Sequence, residues 1–246
     1  MTKANEHLLE EIRKIKSSHP AWGYRKVWAY LRFRKDYKIN KKRVYRLMRI
    51  HGLTVPKNRK LIATRSSTTS KPRTYQPNTI WGMDMTKVRT SKGWRYLHIV
   101  LDWGSKKIVG WNLSQTSKTA DWLDALHMGL NKQFPDGIRN NPYQLMLVTD
   151  NGCQPTSQKF DFECRKLMID HIFTSYSNPK GNADTERVIR TVKEDLIWLN
   201  DWQDEIQLRT ALDKWVKDYN EDFPHMSLGY MTPYAYEQWF NATSVA

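Results

Sequence analysis

The sequence predicts an α/β protein in which a mixed sheet covered by helices follows a small all-α domain. Three observations predict this fold. Apolar residues recur at helical spacing over residues 8–51, the apolar pattern changes to alternation from Ile80, and a stretch rich in proline, serine and threonine separates the two regions. A chain of 246 residues has room for one large domain or two modest ones, so its length is compatible with this division.

The positive charge of the chain is concentrated near the N-terminus. The formal net charge is +15, and residues 1–60 contain 18 Lys and Arg against 4 Asp and Glu, whereas residues 81–246 are close to neutral. A basic region attracts a large polyanion, which favours a nucleic acid or an anionic membrane surface as the partner. Membrane binding requires a broad apolar stripe opposite the charge, and the apolar faces of the predicted helices are narrow. We therefore expect a nucleic acid partner and no membrane partner.

The composition is typical of a cytoplasmic protein. The two cysteines, Cys153 and Cys164, are too few for a disulfide scaffold or a structural zinc site. The chain has no run of about eighteen apolar residues, the length that a membrane span needs, and its N-terminus lacks the apolar core of a secretory signal. We therefore expect a cytoplasmic protein with reduced thiols.

Three short helices are predicted in the basic region. The third is opened by Asn40 as its N-cap and closed by Gly52. Opposite its apolar side it carries three cations, here called the cationic face: Lys42, Arg46 and Arg49. Two helices joined by a short turn, with the charge on the second, form the arrangement by which a helix-turn-helix meets DNA, and a solvated basic face on a structural helix is the alternative. We expect residues 1–56 to form a helix-turn-helix DNA-binding domain and residues 57–78 to form a basic extended linker.

Alternating and helical patterns follow one another in the remainder of the chain. Three strands joined by short turns come first, and helix, strand, helix, strand and helix follow, which predicts a mixed sheet covered by helices. The predicted strands are 80–90, 94–105, 106–114, 143–150 and 170–176, and the predicted helices are 119–134, 157–167 and 182–199. We expect residues 79–200 to form this core and residues 201–246 to form a C-terminal helical extension.

Three acids occupy unusual positions in this pattern. Asp84 lies inside the first strand, Asp150 ends the fourth, and Glu186 lies on the last helix of the core on the same side as Arg190 and Lys193. Each acid has an ordinary alternative: an arginine partner, a turn, and a favourable helix dipole, respectively. Burying an unpaired carboxylate is costly, however, and carboxylates that converge at one edge of a sheet bind hard cations. Three carboxylates holding two Mg²⁺ ions would support an in-line phosphoryl transfer.

At these residues the chain resembles a known family. It is similar to the insertion-sequence transposases encoded by the second reading frame (OrfB) of two-frame elements, which have a core like that of retroviral integrases. The matching segments, in order, are "HPAWGYRKVWAYL", "INKKRVYRLMRIHGL", "WGMDMT", "VTDNG", "NADTERVIRTVKED" and "YNEDFPHMSLGYMTP", and they extend over nearly the whole chain. The resemblance assigns Asp84, Asp150 and Glu186 as catalytic acids and metal ligands, with Lys193 in place of the family's basic residue seven positions after the glutamate.

The resemblance implies a ribonuclease H-like fold and a DNA transposase. The implied reaction is Mg²⁺-dependent strand cleavage at transposon ends, followed by attack of the freed 3′-hydroxyl on another phosphodiester, with two Mg²⁺ ions and Mn²⁺ as a substitute. The implied partners are double-stranded DNA, further copies of the chain, and a protein or fusion segment from the upstream frame, all at the bacterial nucleoid. The expected DNA contacts are Lys42, Arg46, Arg49, Lys180, Arg190 and Lys193.

The sequence departs from the family pattern at two places. The segment "GNADTE" is shorter than the family's segment and brings Asp184 close to Glu186, but Asp184 points off the Glu186 face and is the weaker candidate for the third ligand. Phe223 stands where many relatives have an arginine. Two other functions stay open: a catalytically inactive DNA-binding regulator of transposition, and a ribonuclease for RNA:DNA hybrids, which the basic helix-turn-helix disfavours.

Overall fold

The computed structural model describes residues 3–55, 74–174 and 181–244, and these divide into two compact units. The first unit contains the N-terminal helices together with Asp222–Thr232. The second contains the remaining described residues. The predicted C-terminal extension, residues 201–246, therefore contributes to both units. The predicted linker, residues 57–78, lies outside the described residues except for 74–78.

Among its described residues the first unit has three α-helices, and the predicted helical pattern is confirmed in each. They are α1 (Lys3–Ser18), α2 (Tyr24–Phe33) and α3 (Lys41–Ile50). Their apolar side chains form the core of the unit, which includes Leu8, Leu9, Ile12, Val27, Leu31, Val44, Leu47 and Met48. The Asn40 side chain accepts a hydrogen bond from the Lys42 backbone N–H at 2.9 Å, so Asn40 is the predicted N-cap of α3. Gly52 follows α3 with φ +65°, a conformation that glycine adopts without strain.

The second unit is built on a five-stranded mixed sheet, which confirms the predicted fold class. Its strands are β1 (Ile80–Thr90), β2 (Gly93–Asp102), β3 (Ile108–Ser114), β4 (Met146–Thr149) and β5 (Asp170–Phe173). Their order across the sheet is β3-β2-β1-β4-β5. The first three strands pair antiparallel, and β4 is parallel to both β1 and β5. The central strand β1 is thus the meeting point of the antiparallel and parallel halves.

Helices cover this sheet. The helices α4 (Thr119–Gln133), α5 (Gln158–Lys166), α6 (Ala183–Asp195) and α7 (Glu205–Glu221) pack on its strands, and α8 (Pro233–Ser244) packs on α7. Helix α4 packs on β2 and β3 and shares a core with alternate residues of β1, Trp81 and Met83. Helix α6 packs on β1 and β2, and its first turn meets Gly82. Because side-chain positions alternate between the two faces along a strand, Gly82 faces the side of the sheet opposite to its two neighbours, Trp81 and Met83. The two helices therefore lie on opposite faces of the sheet.

The structure corrects the predicted end of the last core helix. Helix α6 ends at Asp195 instead of Leu199, and a short 3₁₀ turn, Ile197–Leu199, follows it. The Trp202 indole N–H donates to the Ile197 carbonyl at 3.1 Å, so this carbonyl is held by a side chain beyond the helix. The prediction that Leu199 lies on the core face of the helix is wrong, because its side chain is 48% exposed.

Within the described residues, the two parallel strands β4 and β5 are also shorter than predicted. β4 and β5 have four residues each, whereas the apolar runs span eight and seven. β4 pairs with β1 only over Ile80–Gly82, at the very start of β1. In the described ranges no helix has the length and apolarity needed to cross a membrane.

Candidate active site

Two of the three predicted acids lie at the same level of the sheet, Asp84 within β1 and Asp150 directly after β4. Gly82 of β1 is paired with Val148 of β4. Asp84 and Asp150 each follow by two residues, so both point to the same face of the sheet as the paired residues and lie at the same level. Neighbouring strands are about 5 Å apart. This register brings the two carboxylates together at the end of β4.

Hydrogen bonds attach the first turn of α6 to the same face of the sheet. The Asn182 side-chain amide donates to the Met83 carbonyl at 3.0 Å. The Trp103 indole N–H donates to the Thr185 hydroxyl at 3.1 Å, in a fully buried position. Glu186 is the next residue of the helix, so these bonds fix where its side chain starts relative to Asp84.

Gly82 allows this close approach. A Cβ atom at position 82 would lie 2.2 Å from the Thr185 hydroxyl oxygen and 2.3 Å from the Trp103 indole nitrogen. Both distances are far below a normal contact, so only glycine lets the first turn of α6 lie directly on β1. The sequence does contain a signal for this contact, because a glycine inside a strand often marks a site where another element approaches closely.

The electrostatics of Asp84 show that the three acids influence one another. The pKa of Asp84 is raised from 3.8 to about 6, first by burial and then by the negative charges of Asp150 and Glu186. The Met85 backbone N–H, which donates to the carboxylate at 2.7 Å, and the positive charge of Lys193 act in the opposite direction. The structure thus brings Asp84, Asp150, Glu186 and Lys193 within electrostatic reach of one another. We call the three carboxylates the acidic site.

The residue types of the acidic site suit a metal ion better than their spacing in this structure does. Within the part of the chain that the structure describes, no three His, Cys, Asp or Glu side chains are grouped closely enough to hold a metal ion. The donor set nevertheless fits a hard divalent cation, because it consists of carboxylate oxygens whose mutual repulsion a cation would relieve. Asp150 is exposed, and its Oδ1 accepts the Gly152 backbone N–H at 3.2 Å, so the Asn-Gly turn fixes the carboxylate at the sheet edge.

Asp184 is engaged elsewhere. Its carboxylate forms an ion pair with the Lys106 ammonium at 3.0 Å, and the same ammonium donates to the Trp103 carbonyl at 2.6 Å. Glu186, in contrast, contributes to the electrostatic environment of Asp84. These contacts favour Glu186 over Asp184 as the third member of the acidic site.

Comparisons with known proteins match both units of the chain. Residues 3–60 match the family described as HTH-like domain, and residues 74–179 and 167–233 match two families described as integrase core domain. Among curated proteins, the chain is 26% identical over 236 residues to the transposase InsD for insertion element IS2A/D/F/H/I/K of Escherichia coli, covering 93% of this chain and 77% of that protein. The two integrase core matches together cover residues 74–233, so the chain carries an integrase core, and its similarity to InsD supports an insertion-sequence transposase of the OrfB type. The InsD transposase for IS2-9 of Escherichia coli strain K12 is similar to the same degree, with 76% of its length covered.

Solved structures support the same fold. The cryo-EM structure of a simian T-cell lymphotropic virus intasome in complex with the PP2A regulatory subunit B56 gamma contains a chain that aligns with a TM-score of 0.58. The alignment covers 92% of this chain and 74% of the viral chain, at 16% sequence identity. At that identity the likeness concerns the fold alone, and it agrees with the ribonuclease H-like architecture expected for this transposase.

The predicted DNA contacts of the transposase lie in different surroundings. All three residues of the cationic face of α3 are exposed. Arg190 is exposed as well and forms an ion pair with Glu194 one turn later at 2.9 Å. Lys193 lies within electrostatic reach of Asp84, whereas Lys180 lies outside the described residues. The assignment of these six side chains to DNA stays a prediction.

One buried acid in the core was not singled out by the sequence. Asp102, at the end of β2, is fully buried, and burial raises its pKa to about 6. It accepts backbone N–H groups from Asn78 at 3.1 Å and from Ser105 at 2.9 Å, together with the Ser105 hydroxyl. Asp102 therefore ties the turn after β2 to the residues that lead into β1. The only signal in the sequence is an aspartate two residues before Gly-Ser, which is a common turn composition.

Proposed function

We propose that the chain cleaves DNA strands at the ends of an insertion sequence and transfers the freed 3′-hydroxyl ends to new phosphodiesters, using divalent metal ions held by Asp84, Asp150 and Glu186. The observation that carries this proposal is the geometry at β1: the pairing of Gly82 with Val148 sets Asp84 level with Asp150, and the first turn of α6, which carries Glu186, is held against Gly82. Such a cluster is unfavourable by itself, and it becomes favourable when a cation binds.

Each residue of the acidic site has a distinct proposed role. Asp84 and Asp150 hold the cations from the rigid edge of the sheet, and Glu186 completes the coordination from α6. Two Mg²⁺ ions, when bound, would activate the attacking oxygen and stabilise the leaving oxygen of an in-line displacement. We expect Mn²⁺ to substitute for Mg²⁺. Lys193, within electrostatic reach of Asp84 and on the same side of α6 as Glu186, is proposed to contact a phosphate of the substrate strand.

The proposed reaction has two displacements at phosphorus. In the first, a water oxygen attacks a phosphodiester at the transposon end, and the bond from phosphorus to the 3′-oxygen breaks to leave a 3′-hydroxyl. In the second, that hydroxyl attacks a target phosphodiester, which displaces the 3′-oxygen of the target strand. A water oxygen replaces a 3′-oxygen on phosphorus in the first step, and one 3′-oxygen replaces another in the second, so no covalent bond to the protein is required.

The first unit is proposed to bind duplex DNA through the cationic face of α3. Its three exposed side chains lie opposite the buried apolar side of the helix, which leaves them available for phosphate and base contacts. We further propose that the protein acts on the bacterial nucleoid in the cytoplasm, as an oligomer that pairs two DNA ends, together with a segment or protein from the upstream frame.

A cleavage assay tests the proposed chemistry. The full chain is incubated with duplex DNA from the ends of its own element in Mg²⁺, and Asp150→Asn is compared with wild type and with Asp124→Asn, a control acid that is exposed on α4. We expect Asp150→Asn to lose about a thousandfold in cleavage rate, because cation binding contributes several kcal/mol to the transition state. Asp124→Asn should cleave like wild type. Cleavage by Asp150→Asn at the wild-type rate would refute the site assignment.

The exposed cationic face of α3 would also serve a second function, that of a DNA-binding regulator without catalytic activity, which does not need the acidic site. The same assay separates the two functions. A wild-type chain that binds end DNA but cleaves neither DNA nor an RNA:DNA hybrid in Mg²⁺ or Mn²⁺ would support the regulator. Cleavage of the hybrid alone would identify a ribonuclease.

A further inference from the structure

A loop from the C-terminal part of the chain belongs to the first unit. Residues Asp222–Thr232, here called the C-terminal loop, join α7 to α8 of the second unit but are grouped with the N-terminal helices. The loop is closed on itself by two backbone hydrogen bonds, from His225 to the Met231 carbonyl at 3.0 Å and from Tyr230 to the His225 carbonyl at 2.8 Å. It is therefore a small ordered element and not only a connection.

One end of the loop packs on the start of α2. The Phe223 ring meets the Trp22 ring edge-on, with centroids 5.0 Å apart, and both side chains are almost fully buried. The Lys26 ammonium lies 4.0 Å from the centre of the Phe223 ring. Asp222 forms an ion pair with Arg34, just after α2 ends. Both ends of α2 are thus in contact with this part of the loop.

The other end of the loop packs where α2 passes into α3. The Tyr230 ring stacks on Phe33 with centroids 5.9 Å apart and meets Trp28 edge-on at 5.3 Å. Lys41, the first residue of α3, places its ammonium 4.7 Å from the Trp28 ring and 5.9 Å from the Tyr230 ring. Tyr230 therefore touches the last residue of α2 and the first residue of α3 at the same time.

Tyr230 lies beside the turn that leads from α2 into α3, the helix that carries the cationic face. The direction of α3 depends on the turn between Phe33 and Lys41, and the side chains of Trp28 and Tyr230 pack around that turn. The Trp28 indole N–H also donates to the Ile39 carbonyl inside the turn, at 3.0 Å. Removing the Tyr230 ring would take away one wall of this packing and leave the start of α3 less constrained.

We infer that the C-terminal loop is a working part of the DNA-binding unit, in which Tyr230 is a positioning residue that sets the direction of α3 and thereby the affinity for duplex DNA. The inference rests on the proposed function of the cationic face. It implies that residues 1–56 are incomplete as a DNA-binding domain and that the same chain segment both closes the first unit and connects two helices of the second.

The first test asks whether the loop holds the N-terminal helices. A protease recognition sequence is inserted into the predicted linker, the full chain is cleaved there, and the fragments are separated by size-exclusion chromatography. The N-terminal fragment should stay with the remainder in the wild-type background and separate in the double variant Phe223→Ala/Tyr230→Ala. Met226→Ala, in the same loop but 63% exposed, should behave like wild type. Separation in the wild-type background, or co-elution of the double variant, would overturn the inference.

The second test measures DNA binding by the uncleaved chain as a function of salt. Tyr230→Ala should weaken binding to duplex DNA about tenfold and lower the slope of log K against log salt, because cations of α3 no longer reach phosphates. A loss of folded protein alone would lower the active fraction and leave that slope unchanged. Tyr230→Phe keeps the ring and should restore both quantities, and Met226→Ala should change neither.

The variant Arg46→Ala in the same assay distinguishes a failure of this inference from a failure of the proposed DNA-binding role of the cationic face. If Arg46→Ala weakens binding and Tyr230→Ala does not, the inference is wrong while the proposed DNA-binding role of the cationic face stands. If neither variant weakens binding, the cationic face is not the DNA site, and both are wrong.

Discussion

The acidic site and the cationic face are built in different ways. The acidic site combines side chains from β1, the end of β4 and the first turn of α6, and its geometry depends on contacts such as the one at Gly82 that tolerate no extra atom. The cationic face consists of three exposed side chains on one helix. We therefore expect the acidic site to respond to the position of single atoms and the cationic face to respond to the number of charges.

The largest effect is expected when Glu186 is replaced by its amide, in comparison with the same replacement at Asp184. Glu186→Gln should lower the rate of DNA cleavage about a thousandfold, because it removes one of the carboxylates proposed to hold the cations. Asp184→Asn removes the ion pair with Lys106 and should retain activity within about tenfold. Cleavage rates of both variants in Mg²⁺ test this difference, and a larger loss for Asp184→Asn would make Asp184 the ligand.

The next largest effect is expected at Gly82, which does not itself take part in the proposed chemistry. Gly82→Ala places a Cβ 2.2 Å from the Thr185 oxygen, so α6 must move and carry Glu186 away from Asp84. A displacement of about 1 Å can lower a rate about a hundredfold, and the overpacking should lower the free energy of unfolding by about 1–3 kcal/mol. Gly23→Ala, where a Cβ would meet nothing within 4 Å, is the matched control. Wild-type cleavage by Gly82→Ala would show that the approach of α6 is not critical.

A smaller effect is expected on stability, and its sign depends on pH. The folded-state pKa of Asp84, about 6, lies above its ordinary value of 3.8. Above pH 6 the folded protein must therefore hold a buried carboxylate that the unfolded chain ionises freely, and this penalty disappears as the pH falls below about 4. Without metal ions, Asp84→Asn should raise the free energy of unfolding by about 3 kcal/mol at pH 8, by about half as much at pH 5, and by little below about pH 4.

Thermal unfolding with and without Mg²⁺ completes this experiment. Added Mg²⁺ should raise the melting temperature of wild type, because a bound cation removes the repulsion at Asp84. It should have little effect on Asp84→Asn. A variant that is less stable than wild type at pH 8 in EDTA would contradict the assignment of Asp84 as a strained carboxylate.

The sequence predicts the elements of the acidic site better than it predicts their contacts. Alternation and helical spacing identify β1 and α6, and an acid inside a strand or at its end is unusual enough to single out Asp84 and Asp150. The contact between Gly82 and Thr185 depends on how two elements pack across the chain, which periodicity does not encode. For the same reason the sequence predicted α6 to continue to Leu199, since the Trp202 hydrogen bond that accompanies its end is a tertiary contact.

Local patterns also do not predict that the C-terminal loop belongs to the first unit. The patterns of α1, α2 and α3 are local and visible in the sequence, including the N-cap at Asn40. The loop Asp222–Thr232 packs on these helices through aromatic rings far apart in the chain, and no local pattern indicates this pairing. Local signals thus locate secondary structure and candidate charges, whereas long-range packing decides which of them act together.

The smallest effect is expected when one charge of the cationic face is removed. Arg46→Ala should weaken duplex DNA binding by about tenfold or less at moderate salt and reduce the slope of log K against log salt by about one, because a single phosphate contact is lost. Lys132→Ala removes an equally exposed cation from α4 and should leave both quantities unchanged. A graded loss on adding Lys42→Ala and Arg49→Ala would show that this surface responds to charge number. A much larger loss from Arg46→Ala alone, with an unchanged slope, would instead show that this surface requires one specific contact, as the acidic site does.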